Sequence, residues 1–236
     1  MISTQYWSNI QHIAEDGKWA EQMTAKTQII KKLFENLNIV PDTILFPAFN
    51  PVVLQLEMEY NCIVVADKSL KAQWHSESKF VDSLDDIQGH ADVCLALDEY
   101  FTHAETEQDQ RDLIDAIGKV TRGHLITTLQ DYKNAAPHKK SQVDASVSGA
   151  TTDIIIVEQN ILDKNNRQNW QNYIYMIEDH EQLTVLGPNL RRTMYFKQLA
   201  KYTSDIAGTE YVIQKNLLYR GFFKKHYEHM ITVRFP

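Results

Sequence analysis

The chain has 236 residues, a formal charge of −7 at neutral pH, 43% hydrophobic and 23% charged side chains, and only 8 Gly and 6 Pro. That length buries a full core as one α/β domain with elaborations, and the composition excludes disordered, collagen-like and fibrous classes. No stretch approaches the roughly 18 apolar residues of a membrane span, and the start lacks a basic segment followed by an apolar run, so a cytoplasmic protein is expected.

Residues 4–38 read as two cap helices: SNIQHIAEDGKW opens on a Ser, and TAKTQIIKKLFENLNI repeats Ile29, Ile30, Leu33 and Leu37 at helical spacing. TILFPA (43–48) is strand-like, NPVVLQLEMEY (50–60) reads as a helix capped by Asn50 with Pro51 at its first position, and CIVVAD (62–67) is a second buried strand. A short helix KSLKAQWHSES, a brief strand around KFVDS and the strand ADVCLAL (91–97) follow. Next comes a long helix (104–120) with Leu113, Ile114, Ile117 and Val120 facing inward, Gly123 as its C-terminal turn, and the strand HLITTLQ (124–130). Strands alternating with helices imply a parallel sheet. From Asp131 to about Pro188 a polar loop with Ser and Gly leads into the β-rich runs TTDIIIVEQN, NYIYMIED and EQLTVLG, and then NLRRTMYFKQLAKYTSDIAG reads as an amphipathic helix ending at Gly208. TEYVIQKNLLY and YEHMITVRF close the chain as a β-hairpin. The expected organisation is a helical cap (1–40), an α/β core (41–130 and 189–236) and a β-rich insertion (131–188) within one compact domain.

Cys62 and Cys94 sit inside apolar strand runs and read as buried inert thiols; the nine His show no HxH, HExxH or CxxC spacing, so no metal site is signalled. Charge is segregated: residues 42–118 carry 16 acidic against 4 basic side chains, and residues 184–236 carry 3 against 9. One reading is that solvated helix faces segregate by chance. The functional reading is an acidic rim beside a ligand cleft and a basic C-terminal face for an anionic partner such as nucleic acid, using Arg191, Arg192, Lys197 and Lys201 with Arg220, Lys224 and Lys225.

The order of alternating strands and helices followed by a helix and a terminal two-strand ribbon resembles the class I S-adenosylmethionine-dependent methyltransferase fold over most of the chain. The resemblance implies a Rossmann-like, mostly parallel sheet with a C-terminal antiparallel hairpin, S-adenosylmethionine as cofactor, and ligand contacts at four stations after successive strands. At the first, the family's spaced glycines are replaced by Pro47, Ala48, Phe49 and Asn50, where Ala is slim and Asn50 can cap the following helix. At the second, Asp67 lies at the spacing for ribose hydroxyls, or equally caps the helix that follows. At the third, Asp82, Ser83, Asp85 and Asp86 offer acceptors for an adenine amino group, or form a polar turn. At the fourth, His103 with Asp98 or Glu99 offers a general base and its orienting carboxylate, and Tyr100 or Phe101 a stacking surface; the alternative is a loop whose aromatics pack inward. Asp131, Tyr132 and Lys133 are further substrate contacts, or simply a strand end turning into the insertion.

The texture of DEYFTHAETEQDQ is similar to methyltransferase-like proteins of bacterial viruses, which implies host cytoplasm as the location and nucleic acid or a nucleic-acid-handling complex as partner. The competing expectation is a non-catalytic binding or regulatory protein that kept the fold and acts through its insertion and basic C-terminal face. A nicotinamide-dependent oxidoreductase needs a phosphate-cradling loop that is absent from this sequence.

Overall fold

A computed structural model describes residue 7 and residues 17–129, 141–148, 152–162, 168–178, 181–206, 210–219 and 228–236. Strands β1 (Thr43–Phe46), β2 (Asn61–Val65), β3 (Lys79–Val81), β4 (Ala91–Ala96), β5 (Thr121–Leu129), β10 (Glu210–Tyr219) and β11 (Glu228–Arg234) form a seven-stranded sheet of order β10-β11-β5-β4-β1-β2-β3. The pairs β1–β2, β2–β3, β1–β4 and β4–β5 are parallel, and β11 runs antiparallel to both β5 and β10. Because β1 is flanked by β2 on one side and β4 on the other, the strand order reverses there, and open α/β sheets bind ligands at the carboxyl edge of that switch point.

The period of two along each strand splits the core between two faces. Ile44, Phe46, Val64, Val93 and Leu95 meet α1 (Gly17–Leu37), α2 (Val53–Leu56) and α3 (Lys68–Gln73) on one face. Leu45, Cys94, Ala96, Leu125 and Ile231 meet α4 (Glu107–Val120) and α5 (Phe196–Ser204) on the other. The stripe of α1, Ile30, Leu33 and Phe34, is buried at helical spacing, as is the pair Ile114 and Ile117 of α4. Both cysteines are free and buried; desolvation, assisted by the nearby Glu57 charge, pushes the Cys62 thiol up to about 12, and burial raises Cys94 well above the ordinary range.

Four expectations are corrected. The second expected N-terminal helix starts earlier, at Gly17, since Ala20, Glu21, Gln22 and Met23 supply no breaker. Gly123 ends no helix: it lies inside β5 with φ +134°, and a Cβ there would sit 2.5 Å from the Asp92 carbonyl oxygen, beside a register shift between β4 and β5. The insertion sheet has four antiparallel strands, β6 (Ser141–Ser148), β7 (Thr152–Leu162), β8 (Gln168–Glu178) and β9 (Gln182–Arg192), so SQVDASVS forms a strand within the expected polar loop. β9 pairs with β8 as far as Arg192, which puts Arg191 and Arg192 on a strand and delays the helix to Phe196. The expected helix before residue 17, and residues Asp131, Tyr132, Lys133, Arg220, Lys224 and Lys225, lie outside the described residues.

Candidate functional site

At the carboxyl end of β1 the chain runs through Pro47, Ala48, Phe49 and Asn50 without any left-handed residue; the described non-glycine residues with positive φ are Asn38, His75, Asp98 and Glu99. A turn built from ordinary backbone angles tolerates a Cβ at every position, which is why the loop needs no glycine. Phe49 turns inward, 5% exposed, against Trp7 (ring centroids 5.6 Å), Trp74 (5.4 Å) and Phe80 (6.2 Å). Asn50 does two jobs. Its Oδ1 accepts from the Val52 N–H at 3.1 Å, capping the turns that lead into α2, and its Nδ2 donates to Asp98 Oδ2 at 2.6 Å.

The strain missing from the first loop is found in the fourth. Asp98 (φ 54°) and Glu99 (φ 56°) are consecutive left-handed non-glycine residues, each costing about 1–3 kcal/mol. The Asn50 bond holds Asp98, the Glu99 N–H donates to Thr128 Oγ1 at 3.1 Å, and the Thr102 N–H and Oγ1 both donate to the Glu99 carbonyl at 2.8 Å. Asp98 is 6% exposed, and its Oδ1 is buried with no hydrogen-bond partner. Glu99 is buried as well and forms no part of the cavity wall. Phe101 is fully buried in the core, so of the two expected stacking rings only Tyr100 reaches the cavity. Burial raises the Tyr100 hydroxyl well above its ordinary value, with a smaller push from Cys94, and keeps it a neutral phenol.

Pro47–Asn50 and Leu95–Asp98 face each other across a cavity closed by Trp7, Tyr100 and His103, with about 30 Å³ of space, room for a water or two. Tyr100 and His103 also border a second, wider cavity of about 530 Å³ that continues past Ala104, Glu105, Asp109, Asp112 and Leu113 on the opening turns of α4. Gln110 fastens this region from beneath: fully buried, its Nε2 donates to the carbonyls of Phe101 at 3.1 Å and Arg192 at 3.3 Å.

No family model and no curated protein matches the chain, but solved structures do. An S-adenosylmethionine-dependent methyltransferase from Clostridium acetobutylicum superposes with a TM-score of 0.67 at 12% identity, covering 97% of this chain and 98% of that one. An amino pentose methyltransferase from Micromonospora echinaspora with S-adenosylmethionine bound gives 0.66 at 9% identity over 90% and 91%. A sugar N-methyltransferase from Streptoalloteichus gives 0.64 at 9% over 91% and 88%. The chain has the class I S-adenosylmethionine-dependent methyltransferase fold.

Within that methyltransferase fold the four stations lie at one edge of the sheet, but only the first and fourth meet at the cavity. Asp67 is the N-cap of α3: its Oδ1 accepts from the Ser69 N–H at 2.8 Å, and hydrogen bonds from the Ser69 side chain and backbone hold this exposed carboxyl below its ordinary value. Asp82 is exposed and pairs with Lys68 at 3.1 Å, Asp85 is exposed, and Asp86 Oδ2 accepts from the Ser83 N–H and Oγ at 2.9 Å each. These carboxylates cap turns and pair at the surface, away from the cavity walls. Trp7, Leu95, Ala96 and Leu97 are wall residues that the sequence reading did not name; the signal for Trp7 was the size of its apolar ring, which is seldom left in water.

The lining fits a sulfonium cofactor in chemistry. Its walls are apolar and aromatic, and the buried, unpartnered Asp98 Oδ1 calls for a positive or N–H-donating group. The volume is too small for a nucleoside while the Trp7 ring stays against Phe49. Trp7 closes that space from outside the sheet, edge-on to Phe49 at 5.6 Å and to Trp74 at 6.4 Å.

Proposed function

We propose that the chain is a methyltransferase that uses S-adenosylmethionine at the junction of the β1 and β4 loops. The observation that carries this reading is the Asn50–Asp98 pair, which joins the two loops at the switch point in the lining of the cavity and leaves the second Asp98 carboxylate oxygen buried without a partner. Pro47, Ala48, Phe49 and Asn50 would hold the cofactor from the β1 side and Tyr100 from the β4 side. Asp67 is the candidate for its ribose, with Asp82 or Asp85 for its adenine. When bound, S-adenosylmethionine supplies a methyl group already activated by positive sulfur, so the protein contributes mainly position and exclusion of water. The buried loops would provide both, and His103, in the lining of both cavities, is the candidate to take a proton from the acceptor, with Asp98 in the lining of the narrow one.

The non-catalytic alternative draws support from one observation, the small volume left by Trp7. Calorimetric titration with S-adenosylmethionine separates the readings. The enzyme reading predicts saturable one-to-one binding; no heat at millimolar cofactor, in wild type and Trp7→Ala alike, refutes it. The nucleic-acid acceptor, which would also bring Tyr132, Lys133 and Arg191 into play, rests among described side chains on Arg192 and the exposed Lys197 and Lys201 of α5. Reversing Lys197 and Lys201 to Glu is then expected to weaken nucleic-acid binding and flatten its salt dependence, and an unchanged slope removes that surface. Against it, the mouth of the wider cavity carries Glu105, Asp109 and Asp112, which repel a polyanion there.

A further inference from the structure

We infer that the methyl acceptor is an amine, held with its nitrogen against Asp98 and its body in the acidic trough along α4, an inference that rests on the methyl-transfer reading above. Two independent observations meet in it. The first is Asp98, a residue of the narrow cavity's lining with 6% exposure, whose Oδ1 is buried and has no hydrogen-bond partner. A buried carboxylate oxygen left unpaired costs free energy that an N–H donor or an ammonium recovers, whereas an ether, ester or thioether has no proton to give it. The second is the wider cavity of about 530 Å³, which shares Tyr100 and His103 with the lining of the narrow one and is also lined by Glu105, Asp109 and Asp112. Asp109 accepts from the Thr106 N–H at 2.8 Å and Asp112 from Gln108 Nε2 at 2.8 Å, both neutral donors. Arg111, on the same helix, is turned to Glu107 at 3.7 Å and lies over the Tyr202 ring at 4.6 Å. Leu113, Ala104 and the Tyr100 ring supply apolar surface, so the trough suits a cation with an apolar or sugar-like body.

The chemistry balances without a further reactant. The bound ammonium would first give one proton to His103 and on to water; the neutral amine then directs an N–H at Asp98 Oδ1 while its lone pair forms the N–C bond to the methyl carbon as the C–S bond breaks. The bonding pair leaves with sulfur as S-adenosylhomocysteine, and the nitrogen leaves as an N-methylammonium.

The cofactor's own ammonium is the other source of this donor chemistry, and the test separates the two. Three matched pairs are titrated into protein saturated with S-adenosylhomocysteine: phenylethylamine and phenylethanol, cyclohexylamine and cyclohexanol, glucosamine and glucose. The expected result is that at least one amine binds about ten-fold more tightly than its alcohol, the difference a charged hydrogen bond makes. Asp98→Asn removes that preference in protein kept saturated with S-adenosylhomocysteine, whatever it costs in cofactor affinity, and Glu105→Gln with Asp112→Asn, both at the surface, lowers it partially and flattens its salt dependence. No discrimination in any pair overturns the inference while leaving methyl transfer standing. Loss of S-adenosylhomocysteine binding in Asp98→Asn with amine preference intact also overturns it, by giving the oxygen to the cofactor. Failure of wild type to bind S-adenosylhomocysteine overturns the methyl-transfer reading itself.

Discussion

Asn50 carries more of the site than its size suggests, because one amide caps the turn into α2 and restrains the strained Asp98. Asn50→Ala leaves the Asp98 carboxylate without its charge-assisted donor, and the expected cost is about 2 kcal/mol, read as a lower urea midpoint with an unchanged slope. Gly123→Ala forces a Cβ onto the Asp92 carbonyl at a left-handed φ that alanine disfavours, and is expected to destabilise by about 2 kcal/mol or more in the same assay. His124, on β5 opposite Arg234 of β11, has its imidazole held below the ordinary value of 6.5, first by desolvation and then by the Arg234 charge. A lowered folded value means the unfolded chain takes up the proton first. This contribution is therefore complete above about pH 6.5 and is lost as the pH falls below it. His124→Gln is expected to flatten thermal stability between pH 7 and 5 relative to wild type; an identical pH profile contradicts the assignment.

At the scale of elements, the parts legible in the sequence were those whose burial has one period. TILF, CIVV and ADVCLA are apolar on both faces because helices cover both, and they emerged as β1, β2 and β4 with the helices between them. Thr106 and Asp109 close a capping box at the start of α4, with Asp109 N–H to Thr106 Oγ1 at 3.0 Å; Thr106→Ala is expected to cost about 1 kcal/mol and to lower helix content at intermediate urea. What stayed hidden depended on partners distant in sequence. SQVDASVS alternates only small apolar residues, and pairing with β7 makes it a strand. Gln110 reads as an exposed helix position until the 100–103 turn and the end of β9 present it with two carbonyls. Glycine-free DTILFPAFNP reads as a departure from a cofactor turn, and the sequence does not reveal that its loop takes ordinary backbone angles while Asp98 and Glu99 are left-handed.

For the molecule as a whole, the sheet sandwiched between α1–α3 and α4–α5 brings the β1 and β4 loops together at its switch point, and the four-stranded insertion connects back to this layer at Arg192. The order of strands and loops was legible, but whether each loop carboxylate joins the cavity lining or caps a helix is decided by three-dimensional packing, and of Asp67, Asp82, Asp85, Asp86, Asp98 and Glu99 the narrow cavity's lining takes Asp98. The central claim is that this junction binds S-adenosylmethionine or its product. Hydrogen–deuterium exchange with and without S-adenosylhomocysteine tests it most directly, because the claim predicts where protection falls. Slowed exchange is expected at residues 46–50 and 96–103, with the distant β10–β11 pairing unchanged; no protection at saturating ligand, or protection confined to other segments, contradicts it.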